Sequence, residues 1–318
     1  MDHADPLDFD DATMEVLTPH EHAAREEVLE WRGEEAGPLQ SALSAAEEKA
    51  GAAMKWATPP VAQKTVQSAI EGGLEMVQDA SRQTFRASKV LEKARAKGIK
   101  AEGTEAEAAE AKGEEEISEV GDLAHAPLSA LDQLSGTYHM PNKLLAAGEG
   151  GICGAGGIEG AAADLPLLFG IAFRGVQQVG TCYGFDMDDP DVKPAVLGLF
   201  SLGAGASSAA KARMLGDLHV AAEAFARGWT YKKAAERTMS GTAARVLKKM
   251  TRRLPRRIAR KVTKQKLAQS LPAIGAAIGA GFNYRFVGNT LRAARMAFRS
   301  LYLSRKYRGG LRPPPASA

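Results

Sequence analysis

Asp164-Leu-Pro-Leu-Leu-Phe-Gly-Ile-Ala-Phe-Arg-Gly-Val-Gln-Gln-Val179 decides the fold class. Leu165, Leu168, Phe169, Ala172, Val176 and Val179 recur three or four apart, the period of one helix face, while Arg174, Gln177 and Gln178 point away. Asp164 followed by Pro166 reads as an N-cap with proline in the first turn. The stretch contains an arginine and falls short of the ~18 consecutive apolar residues of a spanning helix. It predicts a buried core helix.

Outward from this segment the same period continues. On the N-terminal side, Thr18-Pro19-His20-Glu21 supplies a capping box with proline at the first position, and Val28, Leu29 and Trp31 give that helix a buried side up to Gly37-Pro38. Further helices are expected over about Leu39–Trp56 and Pro60–Ala96, then at Pro127–Leu134 and from Pro141. On the C-terminal side, Tyr183-Gly184 ends the core helix at a left-handed cap, and apolar runs at Ala195–Ala210 and Leu267–Phe282 read as further core helices. Alternating β-branched runs and Asn-Gly hairpins are absent, so the chain is expected to be all-α, a single domain of closely packed Gly/Ala-rich helices over residues 18–308. Residues 1–17 are expected to be a disordered acidic N-terminus, 97–121 a flexible acidic insertion poor in large apolar residues, and 309–318 a disordered tail.

Composition is ordinary for a globular chain of 318 residues: 45% hydrophobic, 25% charged and 6% aromatic. Charge is not evenly spread. From Phe225 onward there are 23 Lys and Arg and one acid, Glu236, whereas the first 150 residues hold 29 acids against 14 bases. A net charge of +3 thus hides opposed halves, and a basic half points to anionic partners. The two cysteines, Cys153 and Cys182, lack metal-ligand spacing and read as buried reduced thiols. The acidic N-terminus lacks the basic and apolar regions of a secretory signal, so a cytoplasmic location is expected.

Sites of chemistry find little support. The glycine passage Gly151–Gly160 has no following Lys-Ser or Lys-Thr and no preceding strand, so it reads as close backbone packing and not as a nucleotide loop. The aspartates after Tyr183-Gly-Phe-Asp186 lack the glycine and closing glutamate of a calcium loop. The six histidines form no zinc pattern, and no serine sits on a Gly-x-Ser-x-Gly elbow. No metal, no cofactor and no catalytic residue is expected.

The basic segments carry the functional expectation. Between Arg245 and Lys266, Leu247, Met250, Leu254, Ile258 and Val262 alternate with Arg252, Arg253, Arg256, Arg257, Arg260, Lys261 and Lys264. In the last helix Arg285, Arg292, Arg295, Arg299 and Lys306 share a stripe about 80° wide, opposite Phe286, Leu291, Phe298 and Leu301. Two basic amphipathic helices in succession fit an anionic membrane surface.

The order of Trp31, Gly154-x-Gly-Gly-x-x-Gly160, Ala163-Asp-Leu-Pro-Leu167, Tyr183-Gly-Phe-Asp186, Leu271-Pro-x-x-Gly-Ala-x-x-Gly279, Asn283 and Phe298-Arg299 resembles the EcsC family. The likeness spans roughly residues 20–306. It implies an all-helical bacterial protein whose motif residues Asp164, Pro166, Tyr183, Gly184, Asp186, Pro272, Gly275, Gly279 and Asn283 are structural. Since the founding member is encoded beside an ABC transporter, the resemblance implies a membrane protein as a partner, and it carries over no catalytic residue. The leading expectation is a peripheral protein on the inner face of the cell membrane. A nucleic-acid module using the same basic helices, or an enzyme around Asp164, Tyr183 and Asp186, is the alternative.

Overall fold

The computed structural model describes residues 5–35, 68, 85–102, 115–188, 193–203, 206–226, 245–246 and 275–308. The described residues form an all-α domain in chain order α1 (Asp11–Val16), α2 (Pro19–Gly33), α3 (Ala87–Ala96), a short antiparallel pair β1 (Lys100–Ala101) and β2 (Glu115–Glu116), a 3-10 turn (Gly121–His125), α4 (Leu128–Gly136), α5 (His139–Gly154), α6 (Gly157–Cys182), α7 (Lys193–Gly203), α8 (Ser208–Ala226) and α9 (Gly275–Arg308). The helices expected over Leu39–Trp56 and the first part of Pro60–Ala96 lie outside the described residues, as do Pro272 and the tail from 309.

Local chemistry sets the boundaries. Thr18 and Glu21 form the expected capping box, each side chain bonding the other's backbone N–H, with Pro19 opening α2. Gly184 takes φ 77°, and a Cβ there would stand 2.5 Å from the Ala124 backbone N, so both conformation and space demand glycine. Three readings need correction. Asp164 is not an N-cap: α6 starts seven residues earlier and carries Pro166 within it. Residues expected to be disordered at the front form α1, with Leu7 and Leu17 buried. The margins of the acidic insertion are ordered too, as β1 and β2 in register Lys100 to Glu116, above the fully buried Ile117.

Helix α9, about 51 Å long at 1.5 Å per residue, is the axis of the domain and packs against α5, α6, α7 and α2. Leu165, Leu168, Phe169, Ala172, Val176 and Val179 of α6 are all buried, as their spacing requires. Phe169 of α6, Phe200 of α7 and Phe286 of α9 meet pairwise at centroid separations of 6.1–6.2 Å and tie three helices together. Where α5 crosses α9, a Cβ on Gly279 would lie 2.2 Å from the Gly150 carbonyl oxygen, and one on Gly150 would lie 2.5 Å from Asn283 Nδ2. Backbone meets backbone here, the role expected of the small-residue rows.

Candidate functional site

The cationic stripe of α9 faces the protein's own acids. Helix α2 runs alongside it in the opposite sense. Arg292 makes two parallel hydrogen bonds to Glu34, at 2.8 and 2.7 Å. Arg299 bonds Glu27, and Lys306 donates to Glu21 at 2.8 Å. Acids at 21, 27 and 34 thus oppose bases at 306, 299 and 292, near heptad spacing on both helices. Ala24, Val28 and Trp31 fill the apolar side of the same helix pair. The expectation of an outward docking stripe is corrected accordingly: Arg299 is only 2% exposed, and Arg292 and Lys306 reach carboxylates of α2. Arg285 is half-buried, and burial alone lowers its pKa. Arg252, Arg253, Arg256, Arg257, Arg260, Lys261 and Lys264 lie outside the described residues.

Asp132 of α4 is the centre of the polar interior. Its Oδ1 accepts from Arg299 Nε at 2.7 Å and from the Tyr183 hydroxyl at 2.5 Å; its Oδ2 accepts from Arg299 Nη2 at 2.8 Å and meets His20 Nε2 at 2.7 Å. Arg295 stands 3.7 Å away, and Ser135 Oγ lies 3.3 Å from the Tyr183 hydroxyl. Burial raises the Asp132 pKa, but the hydrogen bonds and charge of Arg299, helped by Tyr183 and His20, outweigh it and hold the carboxyl below its ordinary value. Tyr183 is driven up by burial first and by the Asp132 charge second. A tyrosine so placed is a fixed donor and not a titrating acid. One hub therefore ties the sequence-distant helices α2, α4, α6 and α9 together.

Among the described residues Asp164, Tyr183 and Asp186 share no common network. Tyr183 belongs to the Asp132 hub, both oxygens of buried Asp164 accept from Asn283 Nδ2 at 2.8 and 3.1 Å, and exposed Asp186 caps the Asp188 backbone N–H at 3.0 Å. Asp164, Asn283 and Gly279 do converge, at the α5–α6–α9 crossing. Tyr183 and Gly184 lie instead at the far end of α6. Neither cysteine is in a disulfide; Cys182 is buried and Cys153 partly so. Among the described residues no three His, Cys, Asp or Glu side chains group as metal ligands, and no helix is long and apolar enough to cross a membrane.

A second surface went unnoticed in the sequence. Helix α5 buries small and polar residues, Asn142, Ala146, Gly150 and Gly154, at strict four-residue spacing. Its large aliphatic residues point outward: Met140 is 52% exposed, Leu144 59%, Leu145 42% and Ile152 79%. At 100° per residue these span an arc of about 140°. No acid or base lies within that arc. Leu167 of α6 is also exposed, at 49%, and Lys143 sits at one flank of the α5 arc, its Nζ 4.2 Å from the Tyr284 ring centroid. The signal was present in the pattern of α5, whose small residues recur at the helical period in place of large ones.

An all-α domain with an inward-facing charge zipper and one inverted helix defines the class. The EcsC protein family model matches residues 22–303, and the chain belongs to that family. Neither a curated protein nor a solved structure matches it.

Proposed function

We propose that the protein is a peripheral membrane protein that lays the outer face of α5 against an anionic bilayer. The observation that carries this reading is the inversion of α5, with four large aliphatic side chains turned to solvent and glycine, alanine and asparagine turned inward. Sinking four such half-exposed groups into the headgroup–acyl boundary yields on the order of 5 kcal/mol before ordering costs. The seven cations between Arg252 and Lys264 supply attraction to anionic headgroups, each nearby charge contributing about 1 kcal/mol. Arg292, Arg299 and Lys306 of α9 take no part, since they are engaged by acids of α2. The inner face of the cell membrane, with its anionic leaflet, is the location this reading assigns.

Co-sedimentation with vesicles of phosphatidylglycerol and phosphatidylcholine tests it. The protein is expected to pellet with anionic vesicles, less with pure phosphatidylcholine. The double variant L144E/I152E, at positions that touch little in the fold, is expected to lose at least tenfold in affinity while keeping its helical circular dichroism. Indifference to vesicles, or unchanged binding of that variant, refutes the reading. Capture of a membrane protein or of nucleic acid in place of vesicles assigns the surface to that partner and refutes it equally.

A further inference from the structure

Beside the exposed arc of α5 stands a carboxylate in an awkward position. Glu149 is one turn from both Leu145 and Ile152 on the same helix. Among the described residues its Oε2 is buried without a hydrogen-bond partner. Across the crossing, α6 presents buried Asp164, satisfied by Asn283 of α9, and Arg174, whose Nη2 donates to Asn142 Oδ1 at 3.2 Å and whose Nε is buried without a partner. Glu149 thus faces one acid and one base from α6, and a neutral amide from α9 lies next to that acid. Burial raises its pKa, the Asp164 charge raises it further, and the Arg174 charge offsets this only in part.

We propose that protonation of Glu149 controls the membrane contact of α5, so that acidification strengthens docking. The inference rests on the membrane reading of α5 and adds its regulation. While ionised, the Glu149 carboxylate places a poorly solvated charge at the edge of an otherwise uncharged apolar face, opposes anionic headgroups and repels Asp164 across the helix crossing. Neutralisation removes all three at once. An acid at the border of an interfacial helix is costly to submerge when charged and cheap when neutral. The sign follows from the direction of the shift. A carboxyl whose pKa is raised by folding penalises the native state above that pKa, and the penalty disappears as pH falls through it.

The test is vesicle binding by the full chain at constant ionic strength from pH 7.5 down to the ordinary glutamate value of 4.5, with thermal melts of the same samples without lipid. Wild type is expected to bind about tenfold more tightly at the acid end. E149Q is expected to bind at pH 7.5 as wild type does at the acid end, with a flat profile. Without lipid, E149Q is expected to melt higher than wild type at pH 7.5, with the gap closing toward acid. A profile that E149Q shares with wild type assigns the pH response to histidines or lipid and overturns the inference, as does pH-independent binding by wild type. Absence of binding at every pH overturns the underlying reading of α5 and the inference with it, a distinct result.

Discussion

Replacing Asp132 with leucine should damage this protein more than removing Glu34 from the exposed end of the α2–α9 zipper. Asp132 is 4% exposed and receives two hydrogen bonds from Arg299, itself 2% exposed, with a third from Tyr183. Removing the acid leaves a guanidinium in the interior whose one charged partner among the described residues is Glu27, with a side chain 45% exposed. Breaking a buried pair in this way costs about 3–5 kcal/mol, chiefly because an uncompensated charge stays buried. With an unfolding entropy of about 2.1 cal/mol/K per residue, each kcal/mol moves the Tm of a chain this long by about 1.5 °C. D132L should therefore melt about 5–7 °C lower. The double variant D132L/R299M buries no orphan charge and should recover more than half of the loss, a coupling that a double-mutant cycle measures directly. Differential scanning calorimetry of the four proteins decides the matter. Additive losses would falsify the claim that the two groups act as one buried unit. The pH direction is a second check. Since folding lowers the Asp132 pKa, its contribution is fully present above the ordinary aspartate value and is lost as pH falls through the lowered one. The Tm gap between wild type and D132N should thus narrow in strong acid and not near neutrality.

Two further outcomes follow from the geometry. Gly279→Ala places a methyl group 2.2 Å from the Gly150 carbonyl oxygen, a backbone atom that cannot step aside, so α5 and α9 must separate; a loss of at least about 2 kcal/mol in urea unfolding is expected, and a neutral result would mean the crossing is looser than drawn. Glu34→Ala removes the outermost pair of the zipper, where both side chains are over 40% exposed; the expected loss is under about 1 kcal/mol, and a larger one would show the pair to be shielded from water.

The helices were legible where the period was strong. The apolar face of α6 follows from Leu165 to Val179, the start of α2 from Thr18 and Glu21, and the turn at Gly184 from its glycine, because each is encoded by neighbours within one or two helical turns. Asp164 misled because an aspartate two residues before a proline looks like a helix start. The preceding run Gly157-Ile-Glu-Gly-Ala-Ala-Ala163, opened by glycines that are poor helix formers on their own, extends α6 backward as α5 packs against it. The small-residue face of α5 was visible as a glycine-rich passage, yet its consequence needed the partner helix. Only against α9 does Gly150 become the interior and Leu144 the exterior. Asp132 carried no local signal at all; its role comes from three helices arriving from residues 20, 183 and 299.

The charge pattern shows why a one-dimensional reading of a field can reverse. An excess of bases in the rear half and acids in the front half suggests a dipole acting on other molecules. The alternative is complementarity within one chain, and the two cannot be distinguished by counting. Spacing can distinguish them. Acids at 21, 27 and 34 and bases at 292, 299 and 306 repeat at six or seven residues, close to two turns of helix, and their order is reversed, as antiparallel neighbours require. Such matched intervals more than 250 residues apart are the mark of a zipper. They bring α2 onto α9 through pairs whose separate contributions at the exposed end are small, while buried Asp132 of α4, bonded to Arg299 of α9 and to His20 of α2, fixes the register.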